Sequence, residues 1–261
     1  MFNLNEDKTM LGYGAMNSHP DIFCFSTTRH GGVGSGNYAS FNCTHYCGDT
    51  PDNVRHNREI LLNHLPYGTR LIIPHQTHGV EVAVVTEKTT DEQLDGIDAM
   101  VTSQRGICLC ISTADCVPLM FYDRRRKVIA AAHAGWRGTL NRIAIRTLER
   151  MKSEFGTEYR DISVCIGPSI SLASFEVGNE VYEAFSHAGF NMERISKFNN
   201  TSGKWHIDLW EANRLPLMEH GVAKGAIETA GICTYINHED FFSARRLGVK
   251  SGRILNGILI K

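Results

Sequence analysis

From Cys108 to Leu140 the chain reads CLCISTADCVPLMFYDRRRKVIAAAHAGWRGTL. Two apolar runs in and beside this stretch, Ile107–Thr113 and 127–132, predict buried strands. Each leads to a reactive side chain, Cys116 just after the first and His133 at the end of the second. Ligands in mixed α/β architectures collect at strand ends, so a thiol and an imidazole leaving such ends are expected to face one cavity. Beyond His133 come Ala134, Gly135, Trp136, Arg137 and Gly138, then a helical spacing over 139–155 carried by Leu140, Ile143, Ile145, Leu148 and Met151. Gly135 and Gly138 permit a tight path into a helix N-terminus, where Arg137 adds positive charge. An anion such as phosphate suits that position.

The whole chain has 261 residues and 42% hydrophobic content, enough for a sizeable core in one large domain or two small ones. Its formal net charge is −1, and Lys and Arg are dispersed except at 124–127, a run that fits a turn between strands. A nucleic-acid surface is not expected. No run approaches the roughly 18 apolar residues of a membrane span, and residues 1–21 carry no export signal, so a cytoplasmic location is expected. Most of the eight cysteines lie inside apolar runs, where a thiol behaves as a small hydrophobe. Reduced thiols without a structural bridge are the expectation.

Upstream, residues 1–21 are weakly patterned and predict an edge strand or a loosely held arm. Ile22–Thr27 is strand-like and runs into a glycine-rich loop at 28–36. That loop is either a flexible turn or a place where Arg29 reaches an anionic or polyhydroxylated substrate. Residues 52–65 predict a helix capped by Thr50 or Asp49, with Pro51 in its first turn. Cys43 and Cys47, with His45 between them, lack the second pair that would complete a tetrahedral structural site. Short strands at 71–74 and 81–86 flank His75-Gln76-Thr77-His78-Gly79. The two histidines are three apart, so one of them faces the site, and Gly79 at a sharp turn favours His78. Residues 95–99 predict a turn into another strand.

Downstream, Ile162–Ile166 predicts a buried strand, 178–188 and 209–220 amphipathic helices, Ile227–Thr229 a strand and 253–260 a closing apolar strand. No repeat, low-complexity segment or linker interrupts the chain. One α+β domain over 1–261 is therefore expected, with a mixed central β-sheet or sandwich flanked by helices. The spacing of 107–113, 117–122 and 127–132 predicts that these three strands pair in succession.

Three chemistries are open to Cys116 and His133. A Cys-His hydrolase would use the imidazole to lower the thiol pKa and the thiolate to attack a carbonyl. A metal site would use the thiolate and two histidines around one divalent ion, leaving the open position of a catalytic zinc. A structural reading leaves a buried Cys and a satisfied core His. Clustering favours the metal: Cys116 stands between Asp115 and Pro118, His133 before Gly135 and Arg137, and His78 between Gln76 and Gly79. Soft and borderline ligands suit zinc better than calcium or magnesium.

The strings Thr113-Ala114-Asp115-Cys116-Val117-Pro118, Ala131-Ala132-His133-Ala134-Gly135-Trp136-Arg137-Gly138 and Gln76-Thr77-His78-Gly79 closely resemble the bacterial polyphenol oxidase or laccase-domain family. Its members are also described as purine nucleoside phosphorylases. The resemblance extends from Thr28-Arg29-His30-Gly31-Gly32-Val33 and Phe41-Asn42, through Gly48-Asp49 and Asn57-Arg58, to Gly167-Pro168, Phe175-Glu176-Val177, Cys233-Thr234-Tyr235 and Arg245-Arg246. It implies a cytotoxic-necrotizing-factor/laccase-domain-like fold, with a metal held by His78, Cys116 and His133. It implies phosphorolysis of adenosine, inosine and S-methyl-5'-thioadenosine, with adenosine deamination as a second reaction. Purine nucleosides and phosphate are then the partners. This chain departs from the family pattern at Tyr46, where a His often stands with His45 one place earlier here, and at Gly34 in the 31–34 turn.

The oxidase name is the weaker expectation. A multicopper oxidase needs many histidines in paired H-x-H strings, and this chain has none, although Cu2+ in place of Zn2+ remains chemically open. A single zinc with an open position can activate water for attack on the purine C6. Asp115 is a candidate proton carrier in that reaction, beside Cys116 and His133. For phosphorolysis, Arg29, Arg58 and Arg137 are candidates to bind phosphate and Asn42 to bond the ribose or base. The alternative of another class is a non-catalytic metal-binding module.

Overall fold

Strand Ile107–Thr113 has every residue buried, as have Val117–Asp123, Val128–Ala134 and Ile254–Ile260. Strands with no solvent face read as continuous apolar runs, which demands cover on both sides. In the computed structural model, which describes residues 1–261, that cover is two six-stranded sheets packed together with helices outside them.

The strands in chain order are β1 (Phe2–Asn3), β2 (Met10–Gly12), β3 (Ile22–Thr27), β4 (Arg70–Ile72), β5 (Val82–Val84), β6 (Ala99–Thr102), β7 (Ile107–Thr113) and β8 (Val117–Asp123). Then follow β9 (Val128–Ala134), β10 (Ile162–Ile166), β11 (Glu176–Val177), β12 (Ser196–Asn199), β13 (Lys204–Ile207), β14 (Ile227–Thr229) and β15 (Ile254–Ile260). The first sheet has the order β1-β2-β3-β15-β7-β4 and the second β14-β10-β8-β9-β6-β5; β11, β13 and β12 form a small third sheet. Both large sheets mix parallel and antiparallel pairs. The architecture is the α+β sandwich flanked by helices that the patterning led us to expect.

Alternation along each strand divides the core. Leu109 and Ile111 of β7, Met120 and Tyr122 of β8, Ile129 and Ala131 of β9 and Ile258 of β15 meet between the sheets. The opposite residues of β8 and β9 pack under helices Ile143–Phe155 and Leu209–Glu219. Cys108 and Cys110 face outward from β7 against Phe41 and Leu61, the latter on helix Pro51–Asn63. Thr50 is that helix's cap, its side chain accepting from the Asn53 N–H. All eight cysteines are unpaired.

Three expectations are corrected. β7 and β8 do not pair: β7 bonds to β15 and β4, β8 to β9 and β10, so residues 114–116 carry the chain from one sheet to the other. Only β8 and β9 form the hairpin, through the turn at 124–127. The helix expected at 139–155 is two helices, Trp136–Leu140 and Ile143–Phe155, with Arg142 between them at φ 62. Gly138 lies close against the backbone oxygens of His133 and Gly79, and Thr139 is bonded by Asn213, so the first turn is tied to the strand ends. Of the two readings of 1–21 the loosely held arm is corrected and the edge strand stands: β1 and β2 extend the edge of the first sheet, and Met10, Tyr13 and Met16 are buried.

Close packing on both faces makes Gly257 of β15 intolerant of a side chain, since a Cβ there would press into the Phe25 ring and come within 3.1 Å of Cys108 Sγ. Gly257→Ala is expected to lower the unfolding free energy by about 1–3 kcal/mol in urea titrations. Gly225→Ala, with open space around it, is expected to stay within about 0.5 kcal/mol.

Candidate metal centre

The corner at 114–116 sets the site. Asp115 takes a left-handed backbone, φ 83, and turns the chain between sheets so that Cys116 enters β8 half-exposed. In the β8–β9 register Pro118 faces His133 and Val117 faces Ala134, which brings Gly135 beside Cys116. β6 pairs with β9 on the other side, and the His133 N–H donates to the Asp98 carbonyl at 2.8 Å just before β6 begins. The 76–79 loop completes the group with an exposed His78. The donor atoms of His78, Cys116 and His133 all lie within 4.8 Å of one another. Cys116 Sγ is 3.8 Å from His78 Nε2, and the two imidazoles meet edge to face with centroids 4.7 Å apart.

Gly135 reports on what the group can hold. Its φ of −64 is open to any residue, so conformation does not require glycine. Space does: a Cβ would stand 2.9 Å from His78 Cδ2, 3.1 Å from Cys116 Sγ and 3.8 Å from His133 Cε1. One thiol and two imidazoles converge with Gly135 packed against them, and such a donor set fits a borderline divalent ion.

Asp98 is the residue that sequence reasoning missed. It is fully buried, and its carboxylate accepts from His133 Nδ1 at 2.7 Å and from the backbone N–H groups of Thr77, His78 and Gly79 at 3.1, 3.0 and 2.7 Å. Burial opposes its ionisation, but the His133 bond and charge and the loop N–H groups hold its pKa below the usual carboxylate value. In the sequence Asp98 stood only in a turn; its signal was an acid directly ahead of the apolar strand that pairs with the His133 strand. The same contacts include Gly79. The left-handed residue of the loop is His78, φ 63, while a Cβ at Gly79 would meet Asp98 Oδ2 at 3.4 Å, an ordinary contact, and its N–H donates to that oxygen.

Charge couples the metal-free pair. Burial works against the Cys116 thiolate, but the positive His133 and the bonds from both histidines bring its pKa down to about 6. Burial likewise opposes the His133 imidazolium, which Cys116 and Asp98 nevertheless raise to about 9. Near neutral pH the two form a thiolate–imidazolium pair sharing one proton.

The remaining predicted site residues are differently placed. Arg137 is exposed, its guanidinium 4.2 Å above the Trp136 ring on the first turn after Gly135. Asp115 is buried, and its carboxylate accepts from Thr234 Oγ1 and the Arg245 N–H, both at 2.7 Å, bracing the corner. Arg29 donates to the carbonyls of Ala39 and His238 and lies over Phe242. Arg58 donates to the Cys43 carbonyl and meets His45 Nδ1 at 3.1 Å. Asn42 is fully buried, its amide donating to Thr44 and Asp49 while its oxygen accepts from Thr44 and Arg253, so it presents nothing to a ligand in this conformation. The glycine-rich loop is packed, with the Gly32 and Val33 N–H groups donating to Ser40 Oγ and Asn57 Oδ1. His75 points to Asp95, Nδ1 to Oδ1 at 2.6 Å, away from the three-residue group. A cavity of about 510 Å³ is lined by Lys197, Phe198 and His206 among others and includes none of the three donors. We place the chemistry at the donors, because a hollow without convergent reactive groups supplies none.

Gly135→Ala is expected to weaken Zn2+ binding at least about tenfold, some 1.4 kcal/mol, in competition with a chromogenic chelator. Its melting temperature without metal should change little, since the backbone conformation suits alanine.

Comparison with known proteins gives one consistent result. The family model described as multi-copper polyphenol oxidoreductase laccase matches residues 23–261. A protein of Bacteroides thetaiotaomicron named purine nucleoside phosphorylase is 53% identical over 268 residues, covering 100% of this chain and 99% of its own. Adenosine deaminase RL5, from an unknown prokaryotic organism, is 43% identical and covers 92% of this chain and 94% of its own. Among solved structures, YlmD from Geobacillus stearothermophilus superposes with a TM-score of 0.90 at 29% identity over 98% of each chain. With its match running from β3 to the last residue and relatives aligned end to end, the chain belongs to the multicopper polyphenol oxidoreductase laccase family.

Proposed function

We propose that this protein is a zinc-dependent purine nucleoside phosphorylase that also deaminates adenosine. The observation that carries the reading is the convergence of His78, Cys116 and His133, whose donor atoms lie within 4.8 Å of one another beside Gly135. The names of two relatives, a purine nucleoside phosphorylase and an adenosine deaminase, supply the substrate class. We read residues 1–261 as one such domain, acting in the cytoplasm on adenosine, inosine and S-methyl-5'-thioadenosine. Zinc is preferred to copper because no H-x-H string is available for a multinuclear copper cluster.

His78, Cys116 and His133 would hold a divalent ion, which would supply Lewis acidity and activation of water. The chain's own residues do the rest. Cys116 and His133 shed the proton they share before they can act as ligands, and Asp98 keeps His133 presenting Nε2. Arg137, exposed two residues after Gly135 with its guanidinium above Trp136, is the group we assign to an incoming phosphate. In phosphorolysis a phosphate oxygen bonds to C1′ as the N9–C1′ bond breaks, giving free base and the sugar 1-phosphate. In deamination a water oxygen bonds to C6 and ammonia leaves. A second reading, a Cys-His hydrolase, draws on the thiolate–imidazolium pair of the metal-free protein.

Removal of metal with a chelator is expected to abolish both reactions, and added Zn2+ to restore them. Full turnover without metal that thiol alkylation stops would give precedence to the hydrolase.

Metal affinity should depend on pH with a defined sign. The thiol titrates near 6 and the imidazolium near 9 in the metal-free protein, so one proton leaves per ion bound between those values. Zn2+ affinity is expected to rise about tenfold per pH unit across that window and to level off above it, as read by chelator competition at several pH values.

Arg137→Ala removes a charge-assisted contact of about 1.5–3 kcal/mol without touching the donors. It should slow phosphorolysis by roughly ten- to a hundredfold while sparing deamination. An assay with adenosine in phosphate buffer that resolves adenine from inosine makes the comparison, and equal loss of both products would withdraw the phosphate role from Arg137.

A further inference from the structure

Two of the three donors hang on one side chain. Asp98 Oδ1 accepts from His133 Nδ1 at 2.7 Å and from the His78 N–H at 3.0 Å. Oδ2 accepts from the N–H groups of Gly79 at 2.7 Å and Thr77 at 3.1 Å. A carboxylate has about four acceptor sites, and here four N–H donors take them, two on each oxygen. The group is wholly buried, so water cannot replace any of these bonds.

We propose that Asp98 is the positioning residue of the metal centre, a single carboxylate that orients His133 and His78 together. With Nδ1 of His133 committed to Asp98, only Nε2 is left to face Cys116. The loop bonds act on the second ligand. His78 has a left-handed backbone, φ 63, which is strained for a residue with a side chain and persists where surrounding bonds over-determine it. Three successive N–H groups held by one carboxylate provide that constraint and aim Nε2 of His78 at Cys116. Asparagine is not equivalent. Whichever way its amide is turned, the NH2 confronts two N–H donors, so either His133 and His78 or Thr77 and Gly79 lose their acceptor.

His75 and Asp95 offer an internal comparison. They form the same kind of bond at 2.6 Å, but both side chains are largely exposed and neither belongs to the donor group. A carboxylate–imidazole contact alone is therefore not what distinguishes Asp98; its burial and its hold on two ligand segments are.

This inference rests on the metal reading proposed above, and the test separates the two. Zn2+ affinity by chelator competition and the visible spectrum of the Co2+-loaded protein are measured for wild type, Asp98→Asn and Asp95→Asn. Asp98→Asn is expected to bind about 10–100-fold more weakly and to shift the Co2+ d–d bands, while Asp95→Asn stays within about twofold of wild type. Wild type that binds neither ion overturns the metal reading itself. Asp98→Asn that matches wild type in affinity and spectrum overturns only the role of Asp98. Should Asp98→Asn fail to fold, nitrogen NMR of wild type loaded with Zn2+ decides the point. His133 coordinated through Nε2, with a slowly exchanging Nδ1–H, supports the assignment, and coordination through Nδ1 overturns it.

Discussion

Burial of the central strands on both faces is the constraint from which the rest of this structure follows. β7, β8, β9 and β15 have no solvent-facing residue, so each needs a sheet on one side and helices or loops on the other. One sheet cannot supply both covers, and the chain changes sheets between β7 and β8. The short connection has to reverse direction and leave the plane at once, which requires the left-handed turn at Asp115. Cys116 is the first residue past that turn. The thiol is thus at the site because the core must be two sheets thick.

Strain at the corner and in the 76–79 loop is balanced by polar bonds that reach across the fold. Asp115 is braced by Thr234 and the backbone of Arg245, residues 119 and 130 positions away in the chain. His78 is braced by Asp98 from the second sheet. Non-glycine residues at positive φ cost on the order of 1–2 kcal/mol each; of the five in the chain, His78 and Asp115 stand within or next to the donor group. The three donors converge within 4.8 Å of one another, with Gly135 packed against them.

The electrostatics of the metal-free group and the proposed metal chemistry are two states of the same residues. A thiolate beside an imidazolium resembles the activated pair of a cysteine enzyme. An ion competes with the shared proton for the same lone pairs, so nucleophile and ligand are alternatives set by metal and pH. His133 is buried, Cys116 half-buried and His78 exposed, so the group reaches the surface through His78.

The sequence by itself determined the class of fold and the buried strands, and it marked out His78, Cys116 and His133, which the structure brings together. Uninterrupted apolar runs are local facts, and so are glycines around a Cys and two His. It also placed Thr50 as a cap and 124–127 as a turn, since capping and turn chemistry act over a few residues. Tertiary structure decided what depends on partners distant in the chain. Apolarity does not say which strand covers which, so β7 and β8 were paired wrongly when they belong to facing sheets. A buried polar side chain shows its role only through its partners: Asn42 and Arg29, candidate ligand contacts by sequence, bond here to backbone and side-chain groups of the fold. Asp98 was passed over because its importance lies in joining residues 77–79 to His133, a juxtaposition created by the pairing of β6 with β9.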